Sequence, residues 1–251
     1  MIIYGSGFQN AIPDDTIKLL SNQGKLQHLL FSYFYLRKNK IDVHLVADSI
    51  IDSGAHSFQK GVHVDWEQYT HDYAKWIREN DTPHIRGYFE MDVDNIIGYE
   101  NVLKLRRILE LESGHADKII PVWHRNRGIE DYHRMVGEHQ IAAVTGFKNE
   151  DIQDHQYLSF LKEAWKNDCW LHCLGMTRKK VLDTVPFDSV DSASWKMPII
   201  YGNYHGRKVS REQTTTNRRD LIIACYDDLM RMQRHYAVKW ARMGVHNHPP
   251  L

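Results

Sequence analysis

Nowhere in the 251 residues is there an apolar run of about 18, the least that would span a bilayer as a helix. The opening Met1-Ile2-Ile3-Tyr4-Gly5 also lacks the basic segment, long apolar stretch and cleavage site of a secretory leader. A cytoplasmic protein is expected, without membrane partners. Cysteine is scarce: Cys169, Cys173 and Cys225 are odd in number and fit no zinc spacing, so free thiols are expected in place of a disulfide framework. The histidines are numerous but scattered, and no metal site is expected among them. No Gly-x-Gly-x-x-Gly follows an apolar run and no P-loop is present, which leaves a dinucleotide or nucleoside triphosphate site without support. Net charge is missing as well, since Lys plus Arg and Asp plus Glu both number 32. That balance hides an asymmetry. Beyond Tyr201, Arg207, Lys208, Arg211, Arg218, Arg219, Arg231, Arg234, Lys239 and Arg242 outnumber Glu212, Asp220, Asp227 and Asp228. A basic segment on a neutral chain is either a solvated helix face or a footprint for phosphates.

What is present is a strict alternation. Short apolar, β-rich runs recur at 1–4, 43–51, 85–91, 118–123, 141–147, 169–174, 187–190 and 198–201. Between most of them lie stretches with helical periodicity, at 26–36, 69–77, 101–111, 129–136 and 157–165. Strands alternating with helices imply parallel pairing through helical crossovers, and eight such runs favour closure into an α/β (β/α)8 TIM barrel over an open sheet. The barrel is expected to occupy residues 1–205. A basic extension over 206–251 follows, in which residues 220–242 read as one amphipathic helix packed on the outside of the barrel.

Three of the apolar runs end in an aspartate: Ile50-Ile51-Asp52-Ser53-Gly54, Tyr88-Phe89-Glu90-Met91-Asp92 and Ser189-Val190-Asp191-Ser192. A β/α barrel gathers the C-terminal ends of its strands on one face, so carboxylates far apart in sequence converge there. Small residues behind Asp52 would let a flat ligand approach the backbone. Glu90 and Asp92 share strand parity and would be costly to bury side by side without partners. Pro121-Val122-Trp123-His124, Val144-Thr145-Gly146-Phe147 and His172-Cys173-Leu174-Gly175-Met176 end further strands, and Asp188 competes with Asp191 in the last one.

Taken in order, these motifs resemble the tRNA-guanine transglycosylase superfamily, over residues 43–195. Asp52-Ser53-Gly54-Ala55 resembles the family's Asp-Ser-Gly-Gly, whose aspartate serves in acid/base chemistry. Asp92 is similar to the aspartate that reads the Watson-Crick edge of the purine. His124 falls where the bacterial enzymes carry a base-reading glutamine, Gly146 where a backbone N–H meets the base, and Leu174-Gly175 where a Met-Gly covers one ring face. Val190-Asp191-Ser192-Ala193-Ser194-Trp195 resembles the segment around the family's nucleophile, which favours Asp191 over Asp188. Ser53, Gly54 and His56 then join the substrate-binding set, His56 standing in place of an aromatic stacking residue.

The resemblance implies a guanine transglycosylase that exchanges guanine for a 7-deazaguanine such as preQ0 through a covalent Asp191–C1′ intermediate. The tRNA enzymes carry a Cys-x-Cys-x2-Cys cluster and a histidine for structural zinc after the last motif; neither that cluster nor room for a large RNA-binding extension is found here. Those departures imply a zinc-free, phage-type enzyme acting on DNA in the host cytoplasm, with no cofactor. Free guanine and 7-deazaguanine bases would be its small-molecule partners, and Arg207, Lys208, Arg211, Arg218 and Arg219 its contacts to the nucleic acid. Self-association as a homodimer is compatible with this reading. The alternatives are a tRNA-acting enzyme of the same superfamily, a glycosidase-type or metal-dependent hydrolase on the same barrel, and a non-catalytic subunit.

Overall fold

A computed structural model describes residues 1–10, 12–38, 43–58, 64–146, 151–208 and 215–245, with the side chains of Asn10 and of 215–217 left out. Phe147 and Arg211 lie outside the described residues. The nine strands of the main sheet are β1 (Ile2–Ser6), β2 (His28–Ser32), β3 (Asp48–Asp52), β4 (Ile85–Phe89), β5 (Ile119–Ile120), β6 (Val122–Trp123), β7 (Ile141–Thr145), β8 (Trp170–Leu174) and β9 (Ser189–Ser192). They run in the order β5-β4-β3-β2-β1-β9-β8-β7-β6, every pairing parallel. The two ends of that order are separated in the chain only by Pro121, so the sheet closes on itself as a (β/α)8-like barrel. Proline has no N–H to give to a ladder, which is why the fifth of the barrel's eight staves splits there into β5 and β6. The Pro121 carbonyl still accepts from Ala143 N at 2.9 Å, and the seam holds.

Alternation along the strands divides the apolar residues into two populations. Tyr4, Leu30, Ile50, Phe89, Ile120, Val122, Ala143 and Trp170 pack against one another inside the barrel. Ile3, Leu29, Phe31, Ile51, Tyr88, Val144, Leu171 and Val190 face outward into the core shared with the helices. The helices Trp66–Asn80, Tyr99–Glu112, Ile129–Glu138 and Tyr157–Lys166 match the expected stretches. The long helix Thr215–Arg242 buries Ile222, Cys225, Tyr226, Leu229, Tyr236 and Trp240 in that same outer core. It is tied to the barrel by Tyr226, whose hydroxyl accepts from Gln27 N at 3.1 Å, and by Gln233, whose side-chain oxygen accepts from Ile3 N at 3.1 Å. No helix among the described residues is long and apolar enough to cross a membrane. Cys169, Cys173 and Cys225 are free thiols, all buried.

Three expected elements are corrected. Residues 26–36 are not one helix: His28–Ser32 is the second strand, followed by a single helical turn at Tyr33–Leu36. A strand buried on both faces reads as a continuous apolar run, which periodicity cannot separate from a buried helix. Conversely, 198–201 is not a strand but part of the helix Met197–Tyr201, where Pro198 sits in the first turn and needs no N–H. Residues 43–51 are a strand only from Asp48 onward.

Buried charge braces the two ends of the barrel. At the N-terminal end Asp48 receives Arg86 in a two-pronged pair at 2.9 and 3.1 Å, the Tyr4 hydroxyl at 3.0 Å and His28 at 3.0 Å. Toward the other end, fully buried Glu90 pairs with Arg106 at 2.6 Å and Arg127 at 3.0 Å and accepts Val122 N at 2.8 Å, while Arg127 grips Asp94 at 2.6 and 2.7 Å. Glu90 and Asp92 therefore do not share a face, contrary to their parity. Extended structure stops at Phe89, and the chain turns so that Glu90 points into this network and Asp92 into the barrel mouth.

Removing one member of a buried ion network strands its partners without water, at a cost of roughly 3–5 kcal/mol. Arg127→Met should therefore lower the unfolding free energy by that order, read as a lower denaturant midpoint at unchanged slope. Joint apolar replacement of Glu90, Asp94, Arg106 and Arg127 should lose much less; a single variant as stable as the parent would refute the bracing role.

Candidate active site

The C-terminal strand ends open into a cavity of about 960 Å³ whose wall includes Asp52, Asp92 and Asp191, from β3, the turn after β4, and β9. Each is delivered by a local feature of the chain. After Asp52, Gly54 takes a left-handed φ of 77°, and a Cβ there would lie 2.5 Å from the Phe34 Cβ and 2.8 Å from its amide nitrogen. Only glycine fits, and the turn it makes throws the short helix Ala55–Ser57 across the mouth, bringing exposed His56 to Asp92. Gly175, also left-handed at φ 64°, aims its N–H at Asp191 Oδ1, 2.5 Å away.

Asp92 sits between two histidines. His124 Nε2 meets its Oδ1 at 2.6 Å and His56 Nε2 its Oδ2 at 3.1 Å. The other ring nitrogen of His124 is held by Asp151 Oδ2 at 2.8 Å, and Asp151 is held in turn by Thr145 Oγ1 at 2.7 Å and Arg125 N at 3.0 Å. Burial opposes a charge on His124, but the hydrogen bonds to Asp151 and Asp92 outweigh it and lift the ring to about 10. It is an imidazolium donating from both nitrogens. Burial likewise works against ionisation of Asp92, yet the bonds from His124 and His56 hold it far below the usual carboxylate range. Asp151 falls to about 2 because the bonds from His124, Arg125 N and Thr145 overcome its burial.

Asp52 behaves in the opposite way. Desolvation raises it to about 6; His56 and the Gly54 N–H pull it down, and the charges on Asp92 and Asp191 push it up again. The three strand-end carboxylates of the cavity thus have three surroundings: Asp52 ready to hold a proton near neutrality, Asp92 held ionised by imidazolium, and Asp191 anchored through a single oxygen, while the fourth, Asp151, is spent on His124.

The structure gathers Asp52, His56, Asp92, His124, Leu174, Gly175 and Asp191 around the cavity. Asp188 is excluded from it: its carboxylate accepts Leu171 N at 2.9 Å and Trp165 Nε1 at 3.0 Å, as a buried structural group. Ser53 and Gly54 shape the loop and do not line the cavity. The Gly146 N–H is given to the Leu174 carbonyl at 2.7 Å, so it is not free to serve a base, and His124 has both nitrogens engaged. Arg207 and Lys208 lie exposed on a two-residue strand paired with Asn203–Tyr204, and Arg218 and Arg219 lie on the long C-terminal helix. None of the four borders the cavity, whose basic neighbours are Arg125 and Lys196. Sequence reasoning missed Asp151, and named Thr145 in a strand-end motif without its role of holding Asp151. The signal was there, a strand ending in Thr145 with an acidic residue in the loop beyond it, on the face where barrels place function.

All three cysteines stand apart from the cavity, and among the described residues no group of three or more His, Cys, Asp or Glu is placed to hold a metal ion. Comparison with family models, curated proteins and solved structures finds no match for this chain.

Two outcomes test these electrostatics. The folded state holds the Asp52 proton more tightly than the unfolded chain. Its contribution to stability is therefore complete below the ordinary aspartate range and is lost as pH rises through about 6. Asp52→Asn should gain on the parent across that window in denaturation midpoints, with the gap constant above it. Asp151→Asn should lower the His124 pKa from about 10, followed by the ring protons in NMR titration; an unmoved ring would contradict the bracketing described.

Proposed function

We propose that the chain is a DNA guanine transglycosylase, exchanging guanine for a 7-deazaguanine base such as preQ0 through a covalent intermediate on Asp191. The observation that carries the proposal is the division of labour among the three carboxylates in one cavity, which coincides in order and neighbours with the motifs of the tRNA-guanine transglycosylases. The absence of the Cys-x-Cys-x2-Cys cluster from the sequence favours DNA over tRNA as the polymer and fits a phage-type enzyme.

Asp191 Oδ1 is pinned by Gly175 N–H, which leaves Oδ2 toward the cavity. Oδ2 forms a bond to C1′ as the C1′–N9 bond breaks, trapping the oxocarbenium character in the manner of a retaining glycosidase. The electron pair goes to the purine, which takes a proton from Asp52. The incoming 7-deazaguanine gives its own proton to the Asp52 carboxylate and attacks C1′, regenerating Asp191. A carboxyl near 6 can serve as acid in the first half and base in the second. Asp92, kept ionised, accepts the N1–H and exocyclic amine of guanine when His56 swings aside. With the Gly146 N–H engaged elsewhere, the O6 donor falls to Asn95 or Asn126, which line the same cavity. The target nucleotide reaches such a recess only if flipped out or single-stranded.

Radiolabelled guanine offered with DNA and, separately, with tRNA tests the reading. Asp191→Ala should abolish incorporation with the fold intact, and Asp52→Asn should slow it by about 10²–10⁴-fold. Full exchange in Asp191→Ala sinks the covalent assignment. Incorporation into tRNA alone moves the activity to the other polymer, and release of guanine with water as sole acceptor makes the chain a hydrolase.

A further inference from the structure

One titratable side chain at the heart of the barrel has no part in the scheme above. His172, on β8, points inward and is fully buried, between Tyr4 at 6.1 Å and Phe89 at 5.2 Å by ring centroids. Its Nδ1 lies 2.9 Å from Ser189 Oγ. Its Nε2 has no hydrogen-bond partner and lies 3.6 Å from Asp191 Oδ1, the oxygen that already receives the Gly175 N–H.

A buried ring nitrogen without a partner is unusual, because the loss of water is not repaid. The choice of tautomer decides what this one does. With the proton on Nδ1, the Nε2 lone pair would face a carboxylate across 3.6 Å, acceptor against acceptor. With the proton on Nε2, Ser189 donates its hydroxyl to Nδ1 and an N–H points at Asp191 from inside the barrel.

We infer that His172 is a positioning residue for Asp191, holding its proton on Nε2 and, with the Gly175 N–H, fixing Oδ1 so that Oδ2 faces the sugar. The inference rests on Asp191 being the nucleophile. The Nε2–Oδ1 gap of 3.6 Å is wider than a hydrogen bond, so the N–H acts on the pinned oxygen as an aimed dipole. His172 does not line the cavity, so it acts through Asp191 and not on base or sugar. The Asp191 carboxylate favours the Nε2–H tautomer, and the Ser189 hydroxyl, able to donate or accept, supports it by donating to Nδ1.

Two measurements on the whole chain decide it. In ¹⁵N–¹H correlation spectra, His172 should show the Nε2–H tautomer in the parent, and Ser189→Ala should erode that preference. In guanine exchange, His172→Leu should lower kcat by about 10-fold or more with KM for guanine little changed, and less covalent protein–DNA adduct should survive on a denaturing gel. His172→Gln, which keeps an N–H donor, should restore part of kcat. An Nδ1–H tautomer in the parent overturns the inference, as does a His172→Leu protein with parental kcat, or a loss that falls on KM alone. If His172→Leu does not fold, Ser189→Ala supplies the same kcat comparison at a less central site. A parent that transfers no base to any polymer defeats the exchange reading itself, while the tautomer spectrum still decides whether His172 addresses Asp191.

Discussion

The buried carboxylate of Glu90 is the constraint on which the rest of this barrel hangs. It accepts the N–H of Val122, the first that the chain offers after Pro121, and so stitches the seam where proline interrupts the ladder. Two guanidinium groups neutralise it, and one of them reaches on to Asp94. Asp92 lies between Glu90 and Asp94 in the chain, and His124 lies between Val122 and Arg127. The network therefore clamps both turns that carry the Asp92–His124 pair, and closure of the barrel and geometry of the cavity have one cause. Charges so deeply buried contribute little net stability, but they specify one arrangement against others.

The same economy separates the carboxylates. β3 carries Asp48 near its start and Asp52 at its end, on the same face. Asp48 is surrounded by Arg86, Tyr4 and His28, a set that neutralises it and leaves it no chemistry. Asp52 has a single backbone donor and a distant histidine, with two further carboxylates nearby, and is left short of countercharge. Position within the barrel, and not residue type, decides which aspartate can exchange a proton.

Much of this was legible in the chain. Alternating apolar runs and helical stretches give the barrel, and strand-end aspartates give the cavity face, because both depend on local periodicity and on where strands stop. The strand His28–Ser32 was not legible, since burial on both faces erases the period that would mark it. The hydrogen bonding of Gly146 was hidden too: whether its N–H is free depends on the Leu174 carbonyl of the next strand. Asp151 stayed unseen because its importance comes from His124, a contact across 27 residues that no spacing rule encodes. Of the C-terminal basic residues, Arg207, Lys208, Arg218 and Arg219 do not border the cavity. Charge counted along the sequence says nothing of which side of a barrel a helix covers.

The three cysteines have a consequence for how this protein would be followed in solution. Burial raises the Cys169 thiol to about 12, that of Cys225 to about 11, and that of Cys173 well above its ordinary value. Since only the thiolate reacts readily and all three are buried, they should be silent toward alkylating reagents while the fold is intact. Cys169 and Cys173 flank and sit in β8 and Cys225 lies in the long C-terminal helix, so their exposure requires strand and helix to part from the barrel. The rate at which these thiols become reactive is thus a built-in clock of the opening of the core.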